Sequence, residues 1–359
     1  MKWLVLIITF LTFKVYGQLN PNLKPIPTVT LGLHYGFIFE HSEEVQNTAG
    51  ANPFGIDLIY SKQLASESAW QQCNCYLNSG IGANYFNYDN SILGHSGTVY
   101  YLFEPQFKIS EKTKFIINAV GGLSYLSNPY HPQINPNNRS YSLPVSIYVG
   151  LGVGLQYALS EKFQLALTGN YLHISNGGIK DPNKGINWPT TNLKFVYNTQ
   201  PNNLPKFTKK AVDFKQKNRL DISAFVSSKT VAIGEKERFF VYGTNLNFSR
   251  QISSLNALVV GNELIIDNSL KEKLLRDGLN KSNLRYGLTL GHEFLLGKFI
   301  FSQQLGYYLF NDTKYFNSIY HRWGLTYQFK KNIGLGINLL AHAQVANFID
   351  MRLVYSFNK

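Results

Sequence analysis

"LPVSIYVGLGVGLQY", residues 143–157, is the stretch whose reading decides the fold. Counted by twos, one side is Leu143, Val145, Ile147, Val149, Leu151, Val153, Leu155 and Tyr157. The other is Pro144, Ser146, Tyr148, Gly150, Gly152, Gly154 and Gln156. A period of two belongs to a β-strand, whose successive side chains leave opposite faces. A wholly apolar face opposite a small or polar one suits a strand with lipid outside and a polar lumen inside. The same pattern sets Val29, Leu31, Leu33, Tyr35, Phe37 and Phe39 against Thr30, Gly32, His34, Gly36 and Ile38. Near the C-terminus it sets Ile349, Met351, Leu353, Tyr355 and Phe357 against Asp350, Arg352, Val354 and Ser356. Aromatic residues near strand ends fit the interfacial girdles of such proteins.

Composition points the same way. Charged residues make up 15% of the chain, against about 25% in ordinary soluble domains. Phe (25), Tyr (23) and Gly (29) are abundant, as strands facing lipid require. Lys2, the apolar run Trp3 to Phe13 and the small-residue end Val15-Tyr16-Gly17 read as a secretory signal peptide over residues 1–17. That run is shorter than the roughly 20 apolar residues a spanning helix needs. No Cys follows the expected cut, so no lipoprotein anchor is expected. An exported chain with few charges and no helical span fits an outer-membrane β-barrel better than a secreted soluble β-sandwich. The net charge of +13 suits anionic lipid head groups; nucleic acid is not an expected partner of an exported barrel. Cys73 and Cys75 lie two apart on an expected strand, where a disulfide is not expected.

Alternation and turns give strands near 27–40, 54–63, 76–88, 98–109, 113–127, 141–158, 162–175 and 190–198. Eight more lie near 219–230, 238–251, 256–266, 284–296, 298–310, 319–329, 332–342 and 345–357. The fold class is therefore all-β: a transmembrane antiparallel β-barrel of about 12–16 strands. Ser110-Glu111-Lys112 and Ser160-Glu161-Lys162 are short, similar turns. Residues 41–53, 89–97, 127–140 and 176–190 are long connections. Short turns are periplasmic and long loops are outer in this class, so the strand ending at Ser175 runs outward. The basic connector 199–217 is periplasmic on this count, within one barrel or at a seam between two subdomains. Residues 268–278 read as a short outer-loop helix closed by Gly278. His34 and His342 fall on lumen faces, as do inward charges such as Asp221 and Arg352. His41, His95 and His131 fall in outer loops, with no metal-ligand spacing.

The chemistry sits at "HISNGGIKDPNKGIN", residues 173–187. Phe163, Leu165, Leu167, Tyr171, His173 and Ser175 share one face of the seventh strand. His173 and Ser175 therefore project outward, towards lipid. Residues i and i+2 lie roughly 7 Å apart at Cα, so an imidazole can reach the hydroxyl and take its proton. A polar pair facing lipid is costly unless it has a task or sits at the interface. A serine nucleophile needs a base, the base an orienting partner, and the oxyanion donors. The Gly-rich loop offers Asn176 and Asn183 as amide donors and Asn187 as an acceptor for the second imidazole nitrogen.

The longer string His-x-Ser-Asn-x-Gly-Ile-Lys-x-Pro-Asn-x-Gly-Ile at 173–186 resembles the signature of the PagL-type lipid A 3-O-deacylases, also described as acyloxyacyl hydrolases. The resemblance covers roughly residues 26–200. The remainder, 201–359, is then expected to add strands to a single barrel spanning 18–359, enlarging its lumen. The resemblance implies an outer-membrane serine esterase that removes an ester-linked acyl chain from the lipid A of lipopolysaccharide. It makes Ser175 the nucleophile and His173 the general base. Asn183 stabilises the oxyanion, helped by Asn176 or the Gly178 amide. No metal or cofactor is implied; the partners are lipid A and membrane lipids. The family's acidic member, twelve residues after the serine, falls here on Asn187. An Asn can orient a His but adds no negative charge, and Asp181 sits elsewhere in the loop. The alternative is a non-catalytic, porin-like or surface-binding barrel.

Overall fold

The structure is a computed structural model. It describes residues 25–359 except 65–66, 202–203, 205–206, 208–215, 234, 314, 344 and 359. The expected signal peptide, residues 1–17, lies outside the described residues. The first eight strands are β1 (Ile26–Gly36), β2 (Phe54–Leu64), β3 (Tyr76–Asn87), β4 (His95–Lys108), β5 (Thr113–Leu126), β6 (Val145–Ala158), β7 (Phe163–Ser175) and β8 (Ile186–Asn198). The second eight are β9 (Asn218–Lys229), β10 (Phe239–Gln251), β11 (Asn256–Asp267), β12 (Leu284–Leu296), β13 (Phe299–Asn311), β14 (Ile319–Lys330), β15 (Ile333–His342) and β16 (Val345–Asn358).

The sixteen strands do not form the single enlarged barrel expected from sequence. β1 pairs with β8, Thr28 opposite Asn198 through Gly36 opposite Thr190, and closes the first barrel. β9 pairs with β16, Met351 opposite Val226 through Asn358 opposite Arg219, and closes a second. All sixteen pairings are antiparallel between neighbours. The reason lies in the connector. A hairpin holds two strands side by side with two to five residues; the connector 199–217 imposes no such pairing, and it is the seam. At eight strands the interior is just wide enough to be filled by side chains, so each half closes without the other.

Each barrel is turned inside out relative to a soluble protein. Its outer face exposes Leu58 (60%), Leu290 (66%) and Met351 (64%), while Glu263 (1%), Arg285 (0%) and Asp350 (0%) are buried inside. That is the pattern of strands facing hydrocarbon. At the loop-rich end, the rings of Phe86, Tyr88, Tyr141, Tyr148 and Trp188, with Leu93 among them, plug the first barrel. Further down, His34 bonds Asp57 at 2.6 Å and Lys194 meets Glu104 at 3.5 Å. The second barrel is held by ion pairs. Arg322 reaches Glu263 (2.7 Å) and Asp350 (2.6 Å), Arg352 reaches Asp350 (2.9 Å), and Arg219 spans Asp221 and Glu293. With interiors so filled, the extra strands provide no enlarged lumen.

Among the described residues, two α-helices and a 3-10 turn (Glu43–Thr48) interrupt the strands. α1 (Glu67–Cys73) precedes β3, and α2 (Asn268–Arg276) follows β11, where sequence placed an outer-loop helix. Asp267 caps α2 by accepting the Leu270 N–H at 3.1 Å, and Gly278 closes it at φ +67°. The expectation for the cysteines is corrected: Cys73 and Cys75 form a disulfide, with Cα atoms 5.1 Å apart. On an extended strand, residues two apart are separated by more than that. Here Cys73 ends a helix and Asn74 turns the chain at φ +54°, which brings the pair within bridging range.

Candidate active site

The β7–β8 hairpin builds the site from its register. His173 lies opposite Asn187 across the two strands, and facing residues of a pair hold their Cβ atoms about 5 Å apart. His173 Nδ1 meets Asn187 Oδ1 at 2.7 Å. On its other side His173 Nε2 meets Ser175 Oγ at 2.9 Å. The three residues expected from sequence to act together are thus joined in one hydrogen-bonded line. Their strand parity is also as read. Gln164, Ala166, Thr168, Asn170, Leu172 and Ile174 point inward and are buried. His173 and Ser175 lie on the outer face and are half-buried there because the following loop folds over them.

That loop, residues 176–185, is held from three sides. Asn176 Oδ1 accepts the N–H groups of Ile179 (3.0 Å) and Lys180 (3.4 Å), and its Nδ2 donates to the Lys180 carbonyl at 2.7 Å. Asn176 therefore has both ends of its side-chain amide engaged by the loop. From the neighbouring connection 127–144, Ser142 Oγ donates to the Lys180 carbonyl (2.8 Å), and the Gly185 N–H donates to the Ser140 carbonyl (2.7 Å). From the second barrel, the Arg238 guanidinium donates to the Ile179 carbonyl. A Cβ on Gly178 would come within 2.9 Å of the Asn347 carbonyl at the start of β16.

Gly185 is required by the site itself. Its φ is +82°, and a Cβ there would stand 2.6 Å from His173 Cε1. Only glycine both adopts that backbone easily and lets the loop lie on the imidazole. Asn183 Oδ1 accepts the N–H of Asn176, the residue after Ser175, at 2.8 Å. Its Nδ2 is buried and has no hydrogen-bond partner among the described residues. An unpartnered buried donor is costly, and this one belongs to a side chain bonded to the residue that follows the serine. Gly178, the other expected donor, adopts φ +79° in the loop next to β16.

Sequence reasoning left one residue out. His41 Nδ1 meets Asn187 Nδ2 at 2.9 Å, and His41 Nε2 meets the Lys184 carbonyl at 2.8 Å. The chain beyond β1 keeps pairing with β8, the Phe39 N–H donating to the Asn187 carbonyl at 2.8 Å. The signal was the parity already in use. His41 continues the odd-numbered outward row from Val29 to Phe39 by one more step. The histidines expected to line lumens do so: His34 bonds Asp57, and His342 Nε2 meets Tyr308 OH at 3.3 Å. Among the described residues no group of His, Cys, Asp and Glu is arranged to hold a metal ion.

The fold and site define a class: an outer-membrane β-barrel carrying a serine–histidine pair on its outward face. Two family models match the chain: "Lipid A 3-O-deacylase (PagL)" over residues 27–196 and "Acyloxyacyl hydrolase, C-terminal domain" over residues 218–359. Together they span most of it, and the chain belongs to this PagL-type acyloxyacyl hydrolase family. The boundary between the two matches falls on the seam between the barrels. Among solved structures, one described as the outer membrane enzyme PagL is 20% identical; the match covers 46% of this chain and 97% of that one, at a TM-score of 0.35. OccAB3 of Acinetobacter baumannii is 10% identical over 94% of this chain and 100% of its own, with a TM-score of 0.21. No curated protein matches the chain.

Proposed function

We propose that this protein is an esterase of the outer membrane that removes an ester-linked acyl chain from lipid A, with Ser175 as nucleophile and His173 as general base. The observation that carries the reading is the line Ser175–His173–Asn187, with distances of 2.9 and 2.7 Å, on the lipid-facing side of β7. A pair so placed meets an acyl ester without drawing the lipid out of the leaflet. Ile147 lies opposite Ser175, and Val149 opposite His173, on β6. With Tyr171 they give an apolar track for the acyl chain.

The steps follow from the atoms. His173 Nε2 takes the Ser175 proton as Oγ attacks the ester carbonyl. Asn187 Oδ1 accepts from His173 Nδ1–H and holds the ring while it carries the extra proton. The buried, unpartnered Asn183 Nδ2 is the donor assigned to the developing oxyanion, the kind of interaction whose loss costs about 10²–10³ in kcat. The imidazolium then protonates the departing sugar oxygen. Water, deprotonated by the same nitrogen, releases the fatty acid from Ser175. The test is mass spectrometry of lipid A from cells producing the natural protein or Ser175→Ala at equal folded amounts in the membrane. Loss of one acyl chain in the first and not the second is expected. Identical acylation in both would end the esterase reading.

A further inference from the structure

The direction of the hydrogen bonds behind His173 is decided by an atom that cannot donate. The Lys184 carbonyl lies 2.8 Å from His41 Nε2, and a carbonyl only accepts, so Nε2 carries the His41 proton. In its neutral form the ring has a bare Nδ1, 2.9 Å from the Asn187 side chain. A bare nitrogen draws the amide NH2 towards itself. Asn187 Oδ1 consequently faces His173 Nδ1 at 2.7 Å and requires a proton there. His173 Nε2 is left bare, 2.9 Å from Ser175 Oγ, in the state a general base needs. The Phe39 carbonyl also approaches His41 Nδ1, at 3.5 Å, too far to compete with the shorter contact.

We propose that His41 is a positioning residue of this site: it fixes the orientation of the Asn187 amide and, through it, which nitrogen of His173 carries the proton. The proposal rests on the esterase reading. A carboxylate at position 187 would accept in any orientation. An amide has one accepting and one donating end. Reversed, it would present NH2 to His173 Nδ1, place the ring proton on Nε2 and leave Ser175 without a base. His41 removes that ambiguity, so the Asn at 187 and the His at 41 form one device.

The test uses the full chain in detergent micelles with dispersed lipopolysaccharide as substrate. Nitrogen-15 NMR of labelled histidine reads the His173 tautomer independently of turnover. In the natural protein, His173 is expected with Nδ1 protonated and Nε2 bare. His41→Lys presents only donors, so it turns Asn187 Oδ1 away from His173. The expected result is transfer of the ring proton to Nε2 and a fall in kcat of about 10²-fold or more with KM little changed, since a wrong-tautomer triad in a serine protease loses roughly 10⁴. His41→Gln, which can both accept from Asn187 and donate to Lys184, is expected to keep the Nδ1 tautomer and most of kcat. In an Asn187→Asp background, His41→Lys is expected to cost less than about threefold, because a carboxylate has no wrong end. An unchanged His173 tautomer in His41→Lys overturns the proposal, as does an equal loss from His41→Lys in the natural and the Asn187→Asp backgrounds. Failure of the esterase reading is separable: it is Ser175→Ala acting like the natural protein, whatever the spectra show.

Discussion

The two barrels share strand number, antiparallel order and an apolar exterior, yet they organise charge oppositely. The first keeps a modest polar interior, plugs its loop end with aromatic rings, and carries its polar line on its outward side, where Ser175 and His173 are half-buried under the loop and Asn187 is buried between His173 and His41. The second locks its charges inside as the Arg322–Glu263–Asp350–Arg352 and Arg219–Asp221–Glu293 networks. Its contribution to the site is mechanical. The start of β16 backs the 176–185 loop at Gly178, and Arg238 ties down the Ile179 carbonyl. Polar groups within a membrane protein are retained where they are paired inside or have chemistry to perform outside; the second barrel shows the first case, and the esterase proposed for the first barrel is the second.

The sharpest way to break the contrast is at Ser175. Ser175→Ala is expected to lower kcat by more than about 10⁴-fold, since loss of a triad nucleophile removes nearly all covalent catalysis. Fatty-acid release measures it, and unchanged heat-dependent gel mobility checks the fold. In the second barrel, Arg322→Met leaves Glu263 and Asp350 buried without their shared cation. The expected cost is about 3–5 kcal/mol of stability, read as an earlier unfolding transition in urea, with kcat little altered. A collapse of kcat at that position would show that the second barrel does more than brace the loop. Asn183→Ala is expected to cost about 10²–10³ in kcat with KM nearly unchanged, from steady-state kinetics. Asn187→Asp adds the missing negative charge beside the imidazolium. A rise in kcat of about tenfold is expected, equal to about 1.4 kcal/mol of transition-state stabilisation.

The smallest effect concerns Asp181, at the junction of the barrels. Burial pushes its carboxyl above the ordinary carboxylate range; Glu44 adds to this, while Lys229, Lys184 and Arg238 pull the other way. A raised folded value means that the fold prefers the neutral acid. Stability from this group is present at low pH and is lost as pH rises through the raised value. Asp181→Asn is therefore expected to slow proteolysis of the loop at neutral pH, by less than about 1 kcal/mol of local stability, and to change nothing in strong acid, where the carboxyl is already neutral. A large loss of kcat in Asp181→Asn would instead make Asp181 the acid that Asn187 replaced.

Much of this was legible before any coordinates. Alternation in Leu143–Tyr157 and its counterparts located the sixteen strands to within a few residues and turned His173 and Ser175 outward. Cys73 and Cys75 were misread because a local helix end overrode the extended pattern. His41 was missed because it lies beyond its strand, where alternation is no longer sought. Its bond to Asn187 joins residues 146 apart in sequence.

The sequence by itself determined the faces: period two separates lipid from lumen residue by residue, and the string from His173 to Asn187 carries its own reactive groups. Only the tertiary structure decided how the strands close and which way the hydrogen bonds run. Closure is a competition between edges, settled when β8 finds β1 and β9 finds β16. The polarity of the site depends on a carbonyl, an imidazole and an amide brought together from different loops.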